Sequence, residues 1–168
     1  MPTGQKTRDF EQTVRAYSAD LYRYAYWLSR DHFVAEDLVQ EAFARAWKSW
    51  SELRELSSVK PWLLTILRNE RARMFARKQL DVVDDDVYEM EIAAVSPLAE
   101  NLDVEQRIGR LPPVYREPLL LQTLGGFTCG EIAGILGTSE GAVMTRLTRA
   151  RQALRNHFLD SEKRRVTK

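Results

Sequence analysis

A segment in the last third of the chain, beginning at Thr128, constrains the fold more than any other. Thr128 and Glu131 have the spacing of a capping box, in which each side chain bonds the other residue's backbone N–H, so a helix begins here. Gly137 ends that helix, because glycine readily adopts the left-handed conformation that follows a helix end. Thr138 or Ser139 then caps a second helix. Two short helices joined by a glycine turn, the second with basic residues, predict a helix-turn-helix.

The second helix of this hairpin has a buried side and a basic side. Val143 and Leu147 lie four residues apart on its apolar side, whereas Arg146 and Arg149 point away from it. A basic helix of this kind is typical of proteins that insert it into the major groove of DNA. Any helical hairpin with a solvated charged face gives the same pattern, so the segment alone leaves both interpretations open.

The rest of the chain is also predicted to be helical. Apolar residues recur at steps of three and four, and no alternating strand pattern occurs, so we predict an all-α fold. The predicted helices run from Phe10 to Leu28, Ala35 to Trp50, Pro61 to Lys78, Pro97 to Gly109 and Val114 to Leu124. Ser96 is predicted to cap the fourth of these helices, and Ser51–Lys60 is predicted to be a loop or a weakly helical connector. The last helix of the hairpin is expected to continue towards Phe158. Pro118 is expected to delay or kink its helix, because proline removes a backbone hydrogen bond.

Charge divides the chain into three parts. Residues 1–80 carry 14 basic and 10 acidic side chains, residues 81–105 carry nine acidic and no basic ones, and residues 106–168 carry 11 basic and five acidic ones. Two basic blocks around an acidic segment suit two units that bind a polyanion, joined by a segment that avoids it. A solvated linker whose charges merely keep it open gives the same pattern.

We therefore predict two small helical domains, over residues 8–80 and 98–160, joined by an acidic flexible linker over residues 81–97. The run of aspartates at 84–86 marks that linker.

Several function classes are not supported by the sequence. No apolar run is long enough to span a membrane and the N-terminus lacks an apolar signal core, so we expect a cytoplasmic protein without direct membrane insertion. The single Cys129 cannot form an internal disulfide and is interpreted as a structural or neutral residue and not as a redox sensor. His32 and His157 belong to no metal-binding pattern, and no nucleophile or phosphate-loop motif occurs. We expect no enzymatic activity, catalytic residue, metal, cofactor or small-molecule substrate.

Two polar helix faces are candidate surfaces. Arg68, Arg71, Phe75 and Lys78 share one side of the third helix, and basic residues interleaved with an aromatic suit phosphate contact and base stacking. A solvated charged face is the alternative interpretation. The side of the second helix opposite its apolar stripe carries Asp37, Gln40, Glu41 and Arg45, which periodicity alone interprets as a solvated face.

Three segments, taken together, resemble the extracytoplasmic-function (ECF) group of bacterial sigma factors. The stretch AEDLVQEAF at 35–43 resembles the polymerase-binding helix, and PWLLTILRN at 61–69 looks like the promoter-melting segment. The stretch LPPVYRE at 111–117, followed by the hairpin, resembles the promoter-reading domain. Their order, spacing and total length match this group, which keeps the two domains called region 2 and region 4, over roughly residues 8–158.

The resemblance implies a sigma factor that binds core RNA polymerase and directs promoter-specific initiation. Region 2 is then expected to dock on the clamp of the largest subunit through Asp37, Gln40, Glu41 and Arg45, and region 4 on the flap. The loop from Trp50 to Lys60 aligns with the loop that holds a flipped base of the −10 element. The expected −10 contacts are Lys60, Trp62, Arg68, Asn69, Arg71 and Phe75. The expected −35 contacts are Ser139, Gly141, Ala142, Met144, Thr145, Arg146 and Arg149.

The resemblance also implies a cognate anti-sigma factor. Met144 stands where many members of the group have a basic residue, so the −35 sequence does not transfer from them. Two other functions compete with this one: a free-standing helix-turn-helix regulator that binds duplex DNA as a dimer, and a helical interaction module that has lost DNA binding. A simple regulator needs neither the polymerase-binding helix nor the aromatic-basic helix.

Overall fold

The computed structural model describes residues 3–81 and 102–166, which belong to two compact units. Every regular element within these two ranges is helical and none is a strand, which confirms the predicted all-α fold. The predicted acidic linker, including the aspartates at 84–86, and the predicted cap at Ser96 lie outside the described residues.

The first unit contains three long helices. They are α1 (Thr3–Ser29), α2 (His32–Ser49) and α3 (Val59–Asp81), with two 3₁₀ turns, Trp50–Glu52 and Leu56–Ser58, between the last two. We call residues 50–58 the connector. Asp31 caps α2, because its Oδ1 accepts a hydrogen bond from the Val34 N–H at 3.0 Å. The helix α3 begins at Val59 and not at the predicted Pro61, and proline is tolerated there because first-turn N–H groups have no intrahelical partner.

The core of the first unit combines leucines with small residues. Leu21, Leu38, Leu63 and Leu67 are completely buried. The alanines of α2 at positions 35, 42 and 46 are also inaccessible, so the neighbouring helices approach it closely.

An aromatic cluster fixes the first helix against the start of the connector. The Phe10 ring lies 5.0 Å from the Trp47 ring and 5.1 Å from the Trp50 ring, centroid to centroid. Phe10 also packs edge-on against Phe43, and Trp50 lies 6.1 Å from Trp62 of α3. Such edge-to-face contacts add to the stability that burial of the rings provides. The cluster therefore joins all three helices at the connector.

Over residues 102–166, the second unit contains four helices. They are α4 (Leu102–Arg110), α5 (Pro113–Thr123), α6 (Cys129–Leu136) and α7 (Glu140–Val166). Leu120, Ile132 and Leu147 are among its fully buried residues. Pro118 lies inside α5, so the delayed start expected for this helix is wrong; the buried apolar ring contributes to the core, which offsets its missing N–H.

The turn between α4 and α5 is fastened by one arginine. The Arg116 guanidinium donates hydrogen bonds to the carbonyls of Ile108 at 3.2 Å and Leu111 at 2.8 Å, and to that of Gly109. These acceptors lie at the end of α4, where carbonyls lack intrahelical partners. Arg116 therefore holds the two helices at a fixed turn.

The predicted signals of the helix-turn-helix are confirmed. Glu131 N–H donates to Thr128 Oγ1 at 3.3 Å, and Thr128 N–H donates to Glu131 Oε2 at 2.8 Å. Gly137 ends α6 with a φ of 62°. Of the two predicted caps for α7, Ser139 is the one used, since its Oγ accepts from Ala142 N–H at 3.2 Å.

Candidate functional site

A groove between α2 and α3 collects three of the four residues expected to bind polymerase. Asp37, Gln40 and Glu41 are exposed on α2 and line one side of it. The groove has a volume of about 400 Å³, and its lining from α3 consists of Glu70, Arg73, Met74, Arg77 and Lys78. We call the α2 side and the α3 side of the groove its two banks. The α2 bank is acidic and the α3 bank is mainly basic, so the groove suits a partner segment that carries both signs of charge.

The fourth residue, Arg45, is engaged within the protein. Its Nε lies 2.8 Å from Glu70 Oε1, and an Arg73 guanidinium nitrogen lies 2.6 Å from the same oxygen. The Glu70 side chain is only 7% exposed, so its charge is compensated by two arginines that remain about half exposed. Glu70 therefore links α2 to α3 directly below the groove.

Lys78 was predicted to lie on a candidate phosphate-binding face, but the other residues of the α3 bank had no predicted role. A signal for Glu70 was present, because it follows Leu63 and Leu67 at steps of four and three and thus falls on the buried side of α3. Nothing in the spacing indicated which α2 residue it meets.

The six residues expected at the −10 element do not form one patch. Trp62 and Asn69 lie seven residues apart and share one side of α3, whereas Arg68, Arg71 and Phe75 share another. Asn69 is exposed, and Trp62 and Arg68 are half-buried. The Arg71 guanidinium lies 4.9 Å from the centre of the Phe75 ring, which forms a cation–π pair.

Lys60, at the start of α3, is part of an ion pair with α1. Its Nζ lies 3.0 Å from Asp20 Oδ2, and its side chain is 24% exposed. To contact DNA, Lys60 must either give up its ion pair with Asp20 or keep it while it also binds the DNA.

A second cavity lies beside the connector. It has a volume of about 670 Å³, and its lining consists of Lys6, Asp9, Trp50, Ser51, Leu53, Arg54 and Leu56. Lys6 and Asp9 come from α1 and had no predicted role, because no sequence pattern indicated that the first turns of α1 reach the connector. Leu56 is 63% exposed at this cavity, which is unusual for a large apolar side chain. We call it the connector cavity.

The seven residues expected at the −35 element lie in the cap and the first three turns of α7. Met144, Thr145, Gly141 and Arg149 are exposed, whereas Ala142 and Arg146 are half-buried. Within the described residues, neither Arg146 nor Arg149 forms a hydrogen bond or ion pair. Their donors are thus available to a ligand.

Three of these residues determine the shape of this face of α7. Met144 is 56% exposed, so it offers an apolar contact. The Thr145 hydroxyl donates to the Gly141 carbonyl at 3.0 Å, which leaves its methyl group as the main outward feature. A Cβ placed on Gly141 would meet no atom within 4 Å, so no side chain among the described residues crowds this position.

The capping box also lowers the pKa of one carboxyl group, that of Glu131. The pKa of Glu131 lies below its ordinary value, first because the carboxylate accepts a hydrogen bond from the Thr128 backbone and then because it accepts one from the Thr128 hydroxyl. The negative charge is thereby favoured at the N-terminus of α6, where the helix dipole also favours it.

Two classes of site find no support in the described ranges 3–81 and 102–166. They contain no group of histidine, cysteine and carboxylate side chains that could hold a metal ion. None of their helices combines the length and apolarity needed to cross a membrane. Cys129 is half-buried and free in the first turn of α6.

Comparisons with known proteins identify the family of each unit. Residues 13–80 match the model of Sigma-70 region 2, and residues 101–154 match that of Sigma-70, region 4. The ECF RNA polymerase sigma factor SigM of Bacillus subtilis is 30% identical over 151 residues, which cover 86% of this chain and 92% of SigM. The probable RNA polymerase sigma factor RfaY of Xanthomonas campestris is 34% identical over 143 residues, or 79% of this chain, but the chain spans only 36% of that protein.

A solved structure extends the likeness to three dimensions. The sigma factor RpoE of Bartonella quintana, in complex with the anti-sigma factor NepR, superposes with a TM-score of 0.81 at 31% identity, covering 90% of this chain and 97% of RpoE. Two family models in the expected order and a relative matched over nearly its full length lead to one assignment. The chain belongs to the ECF RNA polymerase sigma factors.

Proposed function

We propose that this protein binds bacterial core RNA polymerase and directs promoter-specific initiation of transcription. The observation that carries the proposal is the presence, in one chain, of a sigma region 2 unit with the α2–α3 groove and a region 4 unit with an unobstructed basic helix. The protein itself performs no catalysis; it supplies specificity to the polymerase, and it acts in the cytoplasm, where the polymerase is found.

Binding to the polymerase uses the α2–α3 groove. Asp37, Gln40 and Glu41 dock on the clamp of the largest subunit, and the basic bank of α3 contacts acidic groups on the same partner. Arg45 acts through its ion pair with Glu70, which fixes the spacing between the two banks. The region 4 unit contacts the flap.

Recognition and melting of the −10 element use α3 and the connector. Melting costs stacking energy, and a base captured in the connector cavity offsets part of that cost while its edge is read. Trp62 and Asn69 contact the non-template strand on one side of α3. Arg68 and Arg71 hold phosphates on the other side, where Phe75 stacks.

Recognition of the −35 element uses the first turns of α7. The helix enters the major groove, with Ser139, Gly141 and Ala142 at its N-terminal end close to the DNA backbone. Arg146 and Arg149 bond guanine edges or phosphates, and Met144 and Thr145 make apolar contact, for which the methyl group of thymine is suited.

An anti-sigma factor is the second protein partner that we propose. The Bartonella quintana relative was solved with such a protein bound. A protein that covers the α2–α3 groove would prevent polymerase binding and thereby control the regulon.

Run-off transcription tests the proposal. Purified bacterial core polymerase is given a pool of promoter fragments with and without the protein, and the selected promoters are sequenced. Specific initiation that depends on the protein is the expected result. Absence of both initiation and stable core binding would contradict the proposal and favour a free-standing helix-turn-helix regulator. The variant with Asp37→Lys and Glu41→Lys is the control: it should lose core binding while keeping its helical content.

A further inference from the structure

The connector cavity has a polar wall that a stacking site does not need. Its apolar lining comes from Trp50, Leu53 and Leu56 of the connector. The first helix adds Lys6 and Asp9, one cation and one carboxylate. Its volume of about 670 Å³ falls within the range of roughly 300–1,000 Å³ typical of pockets for small organic groups, so a nucleobase fits.

We propose that Asp9 determines which base this cavity accepts, by accepting a hydrogen bond from an exocyclic amine of the captured base. The inference rests on the proposed function, since it requires a flipped base. It assigns to α1 a part in promoter specificity. Cytosine, adenine and guanine carry such an amine, whereas thymine does not.

The chemistry of a carboxylate gives the direction of this selection. An ionised aspartate only accepts hydrogen bonds. Thymine offers a single N–H on this edge with a carbonyl oxygen on either side, so a carboxylate that accepts from this N–H lies close to two oxygens that repel it. Carbonyl oxygens held against a half-buried carboxylate cost free energy that an amine does not, and for this reason the cavity disfavours thymine.

The position of Asp9 is fixed from two directions. Gln5 Nε2 donates to Asp9 Oδ1 at 2.8 Å, one helical turn earlier, and so holds the carboxylate in place. The ring of the next residue, Phe10, lies 5.0 Å from the Trp47 ring and 5.1 Å from the Trp50 ring, centroid to centroid. These contacts fix α1 against the connector. The backbone at Asp9 is therefore held beside the apolar walls of the cavity.

Two cations make a carboxylate acceptable beside DNA. The Nζ of Lys6 lies 4.9 Å from the centre of the Trp47 ring, at the edge of the cavity, and Arg54 lines it from the connector. They attract the phosphates on both sides of the captured nucleotide and offset the repulsion from Asp9. The cavity thus combines phosphate attraction with a single acceptor that selects the base.

The test is initiation by the reconstituted holoenzyme on promoters that carry each of the four bases at every position of the −10 element. The wild-type protein should disfavour thymine at one non-template position. Asp9→Ala should reduce that discrimination about tenfold, the size expected for one base-specific hydrogen-bonded contact, while other positions keep their preferences. Asp9→Asn should relax it further, because the amide also donates to thymine oxygens.

Glu11→Ala is the matched control, since Glu11 is exposed on the same helix and does not line the cavity. Unchanged base preferences in Asp9→Ala, or an equal loss at all positions, would overturn the inference while wild-type initiation leaves the proposed function intact. Failure of the wild-type protein to initiate on any promoter would overturn the proposed function itself, and the inference with it.

Discussion

At the scale of single residues, two glycines of the second unit have opposite surroundings. A Cβ on Gly125 would lie 2.6 Å from the Leu121 carbonyl oxygen and 2.5 Å from the Phe127 ring. A Cβ on Gly134, inside α6, would meet no atom within 4 Å. The first position therefore requires glycine because of close packing, whereas the second only adds flexibility to the unfolded chain.

This contrast predicts opposite effects of the same substitution. Gly125→Ala should lower the free energy of unfolding by about 1–3 kcal/mol through overpacking. Gly134→Ala should raise it by about 0.5–1 kcal/mol, because alanine has the better helix propensity. Urea denaturation of both variants measures the difference. Equal effects would show that the turn after α5 relaxes without cost.

The capping box predicts a dependence of stability on pH. The pKa of Glu131 is lower in the folded than in the unfolded protein, so its contribution is complete above the unfolded pKa and is lost as pH falls through the folded pKa. Glu131→Gln removes the charge and keeps the shape. Its melting temperature should lie below that of the wild type at pH 7, and the gap should close on acidification below about pH 4. A gap that persists in acid would assign the effect to geometry and not to charge.

At the scale of helices, the groove between α2 and α3 depends on a buried carboxylate. Glu70→Ala would leave Arg45 and Arg73 without their common acceptor. Because both arginines stay about half exposed, water compensates in part, and we expect a loss of about 1–2 kcal/mol in the free energy of unfolding. Core polymerase binding should weaken as well.

Glu41→Ala is the comparison for Glu70→Ala. Glu41 is exposed in the groove, so its loss should weaken polymerase binding without lowering the melting temperature. The two variants thus separate a residue that positions the groove from one that contacts the partner. If Glu70→Ala left the melting temperature unchanged, the ion pairs would not hold the helices.

The recognition helix α7 offers a matched pair of arginines. Arg149 lies among the residues expected at the −35 element, whereas Arg155 is exposed on the same helix beyond them. Arg149→Ala should weaken holoenzyme binding to the −35 duplex about tenfold, as expected for a base or phosphate contact. Arg155→Ala should change it little. Fluorescence anisotropy with a labelled duplex measures both, and equal losses would indicate a general electrostatic effect.

Local signals predicted most of these helices, and long-range contacts account for what the sequence did not reveal. The box at Thr128, the stop at Gly137 and the cap at Ser139 each involve residues within four positions of one another, so their spacing is sufficient. The pairing of Arg45 with Glu70 and the approach of Asp9 to the connector join distant segments. Periodicity indicates which side of a helix is buried and says nothing about the residue it meets.

At the scale of the whole molecule, we expect the free protein to have little net attraction for DNA, because its charges nearly cancel. The formal net charge is +1, although residues 1–80 and 106–168 are both basic, because residues 81–105 carry nine acidic side chains. Attraction to duplex DNA rises with the positive charge of the protein and falls with salt. The acidic segment should therefore suppress binding to DNA that lacks a promoter until the polymerase is present.

Replacing Asp84, Asp85 and Asp86 with asparagine raises the net charge by three units without a change of size. The free protein should then bind promoter-free duplex more tightly at low salt, and the gain should vanish at high salt because the effect is screened. Anisotropy titrations at two salt concentrations measure it. A variant with Glu11, Glu36 and Glu52 replaced by glutamine carries the same net charge, since these exposed residues lie in the first unit. A smaller gain in that variant would locate the suppression in the acidic segment, whereas an equal gain would assign it to net charge alone.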